Sequence, residues 1–325
     1  MTSLDAFVRK VPRLFVLTGA GCSTASGIPD YRDEEGAWKH KPPVQFQDFI
    51  SSHATRQRYW ARSLVGWARV FAARPTAAHT ALAALEKSGS VSTLVTQNVD
   101  GLHQKAGSQA VIDLHGRLDT VRCQACAVTV SRAAIQTELV KRNPRWARMN
   151  AVDAPDGDAQ LNGPFDDVVT PACQACGAMM KPDVVFFGEN VPRARVADCY
   201  AALENADGVL VVGSSLMVFS GYRFCLAAVE MGKPVALVNR GRTRADDLAH
   251  LKVEGDCGEV LHDLVRKLAD PRGARLGRIG PKGEAGEYDQ GRQDPPDSER
   301  LLQHHGSQNC GEEDRGLAQH RHPAD

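Results

Sequence analysis

Four cysteines stand in two identical Cys-Gln-Ala-Cys segments, Cys123–Cys126 and Cys173–Cys176, with 46 residues between them. Each segment can present two thiolates, and two such pairs complete the tetrahedral ligand set that zinc prefers. Four thiolates leave no coordination position for water. The pattern therefore predicts one structural Zn²⁺ held by Cys123, Cys126, Cys173 and Cys176. The alternative, a redox dithiol, requires only one pair.

A second group of residues indicates a ligand that carries phosphate. The apolar run Leu14–Thr18 leads into Gly19-Ala20-Gly21, and glycines after a buried strand let backbone N–H groups approach phosphate closely. Ser23 and Thr24 are expected to cap a following helix. Such a turn alone is equally typical of a plain strand-to-helix connection. Three more polar or glycine turns follow predicted strands, and they favour one dinucleotide across four strand ends: Val212–Ser215, Asn239 and Gly255–Gly258.

Polar side chains with catalytic potential follow two other strands. Gln97, Asn98 and Asp100 come directly after the run Val91–Thr96, and their amides and carboxylate suit a bound ribose or carboxamide. His115 follows Val111–Leu114, and a neutral imidazole is a fitting general base near pH 7. The alternative is a turn in which Asn98 or Asp100 caps a helix. His79, His103 and His250 are expected to be structural.

Strands alternate with helices in the part of the chain that positions these residues. Helices are expected from Thr76 to Leu85, Tyr222 to Met231 and Gly258 to Leu268, and apolar strands at Gly208–Val212 and Pro234–Val238. This alternation predicts an α/β fold, a doubly wound parallel sheet of Rossmann-like type. The predicted units are a first part of a Rossmann-like dinucleotide-binding domain (1–119), an inserted zinc-binding module (120–180) and the second part of that domain (181–270). Within the module, residues 151–163 are expected to form a surface loop.

Composition bounds the remaining possibilities. Among 325 residues, 39 Lys and Arg balance 39 Asp and Glu, which argues against a nucleic-acid binder that works through basic charge. The chain has no run of 18 apolar residues and its first residues lack the pattern of a signal peptide, so neither a membrane span nor secretion is expected. Residues 271–325 hold nine Gly and no Val, Phe or Trp, and this composition predicts a disordered tail.

Together these segments resemble the sirtuins, the NAD-dependent protein-lysine deacylases. The resemblance covers about residues 10–268 and rests on G-A-G-x-S-x-x-S-G-I-P-D-Y-R, T-Q-N-V-D-G-L-H, L-H-G, the two Cys pairs, V-V-F-F-G-E and V-G-S-S-L in the family's order. Arg56–Arg62 and Ser220–Phe224 look closest to the class II branch, which includes a mitochondrial member and bacterial relatives. The chain departs from the usual pattern at Tyr31, Val99 and Cys22, where many members have Phe, Ile and Ile.

The resemblance implies that NAD is a co-substrate consumed in the reaction. The acyl oxygen of an acylated lysine attacks the ribose carbon that bears nicotinamide, His115 then acts as general base on a ribose hydroxyl, and O-acyl-ADP-ribose is released. The implied catalytic residues are His115, Asn98 and Asp100. The implied cofactor-binding residues are Gly19, Ala20, Gly21, Asp30, Tyr31, Arg32, Gln97, Asn98, Val99, Asp100, Gly213, Ser214, Ser215, Asn239, Arg240, Gly241 and Cys257. The implied substrate residues are Val185, Phe186, Phe187, Gly188 and Glu189, with acylated proteins as partners.

Acyl preference and location follow from the same resemblance. Tyr59 and Arg62 lie three residues apart, so on a helix they share a face, and a Tyr-x-x-Arg pair in one sirtuin branch meets the carboxylate of acidic acyl groups. The alternative is a core tyrosine and a solvated arginine. A bacterial protein of this family is expected in the cytoplasm, and a eukaryotic one in the mitochondrial matrix.

Competing functions are mono-ADP-ribosyl transfer to protein and NAD binding without turnover. A hydride-transferring dehydrogenase would require G-x-G-x-x-G, which the first turn lacks.

Overall fold

Three apolar strands form the centre of the main sheet, and every one of their residues is buried. They are β1 (Leu14–Thr18), β9 (Gly208–Val212) and β10 (Val235–Val238). A strand covered by helices on both faces has no solvent side, so it can be apolar throughout. The protein is seen in a computed structural model that describes residues 3–31, 33, 35, 37, 39, 43–150, 152–155 and 158–270.

The other strands and the helices have the following bounds. The strands are β2 (Val91–Thr96), β3 (Val111–Asp113), β4 (Gly116–Cys123), β5 (Thr129–Ser131), β6 (Val152–Ala154), β7 (Asp158–Gln160), β8 (Met180–Val184) and β11 (Leu251–Val253). The helices are α1 (Leu4–Lys10), α2 (Phe46–Ser51), α3 (His53–Ala72), α4 (Ala77–Lys87), α5 (Leu102–Lys105), α6 (Arg132–Arg142), α7 (Pro144–Ala147), α8 (Arg193–Glu204), α9 (Phe219–Glu230) and α10 (Cys257–Ala269).

Within the described part of the chain, the main sheet has six strands in the order β11-β10-β9-β1-β2-β3, and every pairing is parallel. In register, Thr18 at the end of β1 lies beside Thr96 on one side and Val212 on the other. The carboxyl ends of the strands therefore meet at one edge, where a doubly wound sheet binds its ligands. The predicted Rossmann-like α/β fold is confirmed.

Helices cover both faces of this sheet. One core cluster unites apolar side chains of α1, α4 and α10 with the sheet, and a second does so for α8 and α9 on the opposite face. Thr76 caps α4 as predicted: its hydroxyl accepts from the N–H of His79, and Nδ1 of His79 accepts from the N–H of Thr76 at 3.1 Å. Among the described residues no helix is both long and apolar enough to cross a membrane.

The cysteine pairs lie beside a smaller antiparallel sheet, β5-β4-β8. Helix α6 docks on α3 through the buried Arg132, whose guanidinium lies 5.5 Å from the ring of Trp60 and 5.0 Å from that of Trp67. The proposed boundaries of this module at 120 and 180 stay a prediction, and the tail 271–325 lies outside the described residues.

Two local expectations need correction. The segment 151–163 is not a plain surface loop, because β6 and β7 form an antiparallel hairpin that places Ala159 and Leu161 in a core cluster with α3. Ser23 and Thr24 cap no α-helix. In place of such a helix, the segment after β1 makes two consecutive 3-10 turns, Ala20–Cys22 and Thr24–Ser26, and neither has a side-chain cap. Ser23 instead uses its hydroxyl in the site described next.

Candidate active site

A cavity of about 630 Å³ opens at the carboxyl ends of β1, β2, β9 and β10. Most of the predicted site residues line it. They are Gly19, Ala20, Gly21, Asp30, Tyr31, Gln97, Asn98, Val99, His115, Val185, Phe186, Phe187, Glu189, Gly213, Ser214, Ser215, Asn239, Arg240 and Cys257. Among the described residues, Asp100, Gly188, Gly241, Tyr59 and Arg62 do not line the cavity, and Arg32 lies outside the described part of the chain.

The glycines of the first turn let two chain segments touch. The N–H of Gly19 donates to Val212 O at 3.1 Å and that of Gly21 to Gly213 O at 2.9 Å, so neither amide is available for phosphate. A Cβ at Gly19 would lie 2.7 Å from Cβ of Ser214. Gly213 has φ +62°, and a Cβ there would lie 2.6 Å from the backbone nitrogen of Cys22. The expectation that these glycines supply phosphate-binding N–H groups is therefore corrected: Gly19 and Gly21 permit close packing of two chain segments. Ala20, which lies between them, is the first residue of a helical turn, and its N–H has no partner within that turn.

Asn98 lies on the floor of the cavity and is 9% exposed. Its Nδ2 donates to Gly19 O at 3.0 Å and to Ser23 Oγ at 3.1 Å. The Ser23 hydroxyl in turn donates to Asp100 Oδ2 at 2.6 Å, and Oδ1 of Asp100 accepts from the N–H of Leu102 at 2.8 Å. Asp100 thus lies behind Asn98 and also accepts from the first residue of helix α5. It does not face the cavity as a reacting group.

His115 follows β3, and its ring forms part of the cavity wall. Nδ1 lies 2.9 Å from the backbone oxygen of Gln97, and Nε2 lies 2.8 Å from Oγ of Ser220. Burial lowers the pKa of His115 from 6.5 to about 4; the Gln97 carbonyl opposes this shift, while Arg195 and Arg223 add to it. The ring is therefore uncharged near pH 7. Because a carbonyl oxygen can only accept, Nδ1 carries the hydrogen and Nε2 is the basic atom.

The segment after β8 forms the opposite wall and is tied to the same histidine. The N–H of Val185 donates to His115 O at 2.8 Å, and that of Phe186 to Glu189 Oε2 at 2.9 Å. The buried Lys181 ammonium lies 3.0 Å from Glu189 Oε2, donates to Val184 O, and lies 4.6 Å from the centre of the Phe186 ring. Burial lowers the pKa of Lys181, and Glu189 opposes that shift. Lys181 was not predictable from the sequence, because its partners are set by the turn after β8.

The predicted acyl-selecting pair is placed away from the cavity. The Tyr59 ring packs in an aromatic cluster, 5.4 Å from Phe49 and 5.3 Å from Phe186, and burial raises the pKa of its hydroxyl. Arg62 binds the hairpin: its Nη2 lies 2.7 Å from Asp158 Oδ2, and its Nε donates to Ala159 O at 2.8 Å. Since Asp158 already neutralises the guanidinium, Arg62 offers no free cation to the cavity.

The four cysteines converge as a possible metal centre. Their sulfur atoms all lie within 4.8 Å of one another, with Cys123 and Cys176 3.5 Å apart and Cys126 and Cys173 3.6 Å apart. The two segments fold alike: the N–H of Cys123 donates to Val128 O at 2.9 Å and that of Cys173 to Ala178 O at 2.8 Å. Backbone N–H groups of Cys126 and Ala125 lower the pKa of Cys123 to about 6, which favours the thiolate. Four thiolates in this arrangement fit Zn²⁺.

A glycine-lined cavity across the strand ends of a parallel sheet, with a histidine in its wall, is typical of nucleotide-dependent α/β enzymes. Residues 19–220 match the model of the Sir2 family, so the chain belongs to that family and the predicted identification is confirmed. The class II assignment stays a prediction.

Curated relatives and solved structures agree with this membership. The chain is 62% identical over 270 residues to the "NAD-dependent protein deacetylase" of Xanthomonas campestris pv. campestris (strain 8004), covering 83% of this chain and 92% of the relative. It is 59% identical over 266 residues to the protein of that name from Bordetella bronchiseptica, covering 82% and 97%. A solved Sir2 complex with a p53 peptide and NAD⁺ is 29% identical, with a TM-score of 0.66 and coverage of 81% and 95%. A Sir2 protein bound to acetylated peptide is 28% identical, with a TM-score of 0.65 over 81% and 95%.

Proposed function

We propose that this protein is an NAD-dependent protein-lysine deacylase that releases nicotinamide and O-acyl-ADP-ribose. The observation that carries the proposal is the placement of His115 in the wall of the cavity, with Nδ1 against the Gln97 carbonyl so that Nε2 is the basic atom. The names of the bacterial relatives at 62% and 59% identity support the same activity. A general base of this kind supplies about 10²–10⁴-fold of rate.

The residues present fit NAD. The cavity volume of about 630 Å³ lies in the usual range of roughly 300–1,000 Å³ for cofactor sites. A side chain at Gly19 would clash with Ser214 and so disrupt the close contact that shapes this cavity. When bound, NAD supplies a ribose carbon from which nicotinamide departs. Residues proposed to hold it are Ala20, Gln97, Asn98, Val99, Gly213, Ser214, Ser215, Asn239, Arg240, Gly241 and Cys257. Gly19 and Gly21 are proposed to shape its site through close packing, while Asp30, Tyr31 and Arg32 are proposed to close over it.

Three groups of this chain prepare the reacting end of the cavity. His115 keeps its Nδ1 hydrogen on the Gln97 carbonyl and accepts the proton of a ribose hydroxyl at Nε2. Asn98, fixed by Gly19 and Ser23, presents its remaining amide atoms to the ribose or the attacking oxygen. Asp100 positions Asn98 through Ser23, so we propose a positioning role for it.

Acylated proteins are the proposed substrates. Val185, Phe186 and Phe187 are proposed to flank the acyl-lysine chain, with Gly188 and Glu189 beside the substrate backbone, where an extended peptide can add as a strand. The edge of the Tyr31 ring faces Phe187, with centres 6.0 Å apart, so the proposed cofactor loop and the acyl wall are in contact. A cytoplasmic location and the absence of membrane and nucleic-acid partners stay predictions from the sequence.

The proposal is tested by the products. The protein is incubated with NAD and an acetyl-lysine peptide, and free nicotinamide, deacetylated peptide and O-acetyl-ADP-ribose are measured by mass spectrometry. Equal amounts of the three are expected. ADP-ribose attached to protein, with the peptide still acetylated, would instead establish the alternative, mono-ADP-ribosyl transfer, which the names of the relatives do not favour.

A further inference from the structure

Ser220 is the second residue of α9, and its hydroxyl lies 2.8 Å from Nε2 of His115. The residue is 2% exposed, yet it lines the same cavity as the histidine. In the sequence this position is distinguished only as part of the segment Ser220–Phe224. The contact joins residues 105 positions apart, so only the fold reveals it.

Hydrogen counting fixes the direction of this hydrogen bond. Nδ1 of His115 faces the Gln97 carbonyl, which can only accept, so the hydrogen of the neutral ring is on Nδ1. Nε2 then has one lone pair, and the Ser220 hydroxyl donates to it. A proton that reaches Nε2 from the cavity must therefore displace this hydroxyl or pass through it.

The first turn of α9 holds the hydroxyl in place. Gly221, the next residue, packs directly on the side chain of Gln97, where a Cβ would lie 2.5 Å from Oε1. Nε2 of Gln97 also donates to Ser214 Oγ at 2.8 Å. The imidazole of His115 is thus held at both nitrogens, at Nδ1 by the backbone oxygen of Gln97 and at Nε2 by the hydroxyl of Ser220. The charged groups that act on the ring are Arg195 of α8 and Arg223 of α9.

We infer that Ser220 relays the proton to His115. The inference rests on the proposed deacylase function, which supplies the ribose hydroxyl as proton donor. In the step, the O–H bond of Ser220 breaks as Nε2–H forms, and Oγ takes the proton of the ribose hydroxyl. Serine ends with one proton as before, the ring becomes imidazolium, and the ribose oxygen becomes the nucleophile. No other reactant is required.

The test compares Ser220→Ala with Ser220→Thr, which keeps a hydroxyl at the same position. Deacetylation and NAD–nicotinamide exchange are measured separately, because exchange reports the step that precedes the base. The relay predicts that deacetylation by Ser220→Ala falls about 10²-fold while exchange changes far less, and that Ser220→Thr recovers most of the loss. In a His115→Ala background, removal of the hydroxyl should have no further effect on deacetylation.

A second measurement needs no variant. The single-turnover rate of deacetylation in mixtures of H₂O and D₂O should curve with deuterium fraction, because two protons move together in the relay. A linear dependence, or deacetylation by Ser220→Ala within threefold of the parent, would overturn the relay. If the parent protein releases neither nicotinamide nor deacetylated peptide, the proposed function itself fails, and this outcome is distinct from loss of the relay alone.

Discussion

The hydroxyl of Ser23 donates a hydrogen bond of 2.6 Å to Oδ2 of Asp100. Ser23 follows the turn after β1 and Asp100 the end of β2, so this bond ties together two neighbouring strand ends. Asn98 donates to the same hydroxyl oxygen at 3.1 Å, which makes the orientation of its amide depend on both residues. The carboxylate therefore acts at a distance from the cavity, as a positioning group.

Asp100→Asn and Ser23→Ala should both weaken NAD binding, because each removes part of the support of Asn98. Loss of a hydrogen bond to a charged group typically costs about 1.5–3 kcal/mol. Because both changes break one chain of contacts, the double variant should lose clearly less than the sum of the two. Calorimetric titration with NAD checks this, with Ser92→Ala, a hydroxyl on β2 that donates to Leu14 O, as control. Additive losses would mean that the two residues act independently.

The cysteine tetrad predicts one zinc per chain. Cys126→Ala or Cys173→Ala should lower metal content and thermal stability together, because metal binding free energy is also folding free energy. Cys199→Ala is the matched control: this cysteine is buried in the core beside α9, so its loss should cost some stability but no metal. Metal analysis by plasma mass spectrometry decides the point. An active protein that holds no zinc would end this assignment.

Arg62 gives a prediction about acyl choice. Because its guanidinium is paired with Asp158, the protein should cleave acetyl-lysine in preference to succinyl- or glutaryl-lysine. Arg62→Met should reduce activity on all three peptides by a similar factor, through weaker docking of the β6–β7 hairpin. Initial rates on the three peptides test this. A parent protein that prefers the acidic acyl groups, and loses that preference in Arg62→Met, would show that Arg62 leaves Asp158 to bind them.

The buried His79 and His103 and the partly buried His115 make folding stability dependent on pH. Burial lowers the pKa of His79 and His115 to about 4 and that of His103 well below 6.5; Asp100 opposes the shift of His79, and His79 adds to that of His103. Between pH 6.5 and 4 the unfolded chain binds protons that the folded chain does not, so stability falls as pH falls through this window. The loss for a histidine shifted to pKa 4 approaches about 3 kcal/mol at the acid limit.

His103→Gln separates the effect of histidine protonation on stability from that of zinc loss in acid. A glutamine can still hydrogen-bond Thr18 but does not titrate. The variant should be less stable than the parent at pH 7.5, and its free energy of unfolding should fall less between pH 7.5 and pH 5. Urea unfolding at both values measures the difference. An equal fall in parent and variant would exclude His103 as a source of the acid sensitivity.

Patterns within single segments of the sequence predicted much of the fold and the cysteine tetrad. Apolar runs located β1, β9 and β10, Thr76 marked the start of α4, and the Cys spacing located the tetrad that the structure brings together. Contacts between distant segments were not predictable in this way. The roles of Ser220, of Lys181 and of the amides of Gly19 and Gly21 depend on which strand end lies beside which. The partner of Arg62 is contributed by a hairpin 96 residues further along, whose polar sequence resembled a loop.

The central claim is that His115 is the base of an NAD-dependent deacylation. The most direct measurement is deacetylation of an acetyl-lysine peptide and NAD–nicotinamide exchange, followed side by side in the parent protein and in His115→Ala. The variant should remain folded and keep its zinc, lose deacetylation by about 10²–10⁴-fold, and retain a much larger share of exchange. Near-normal deacetylation by His115→Ala would exclude His115 as the base.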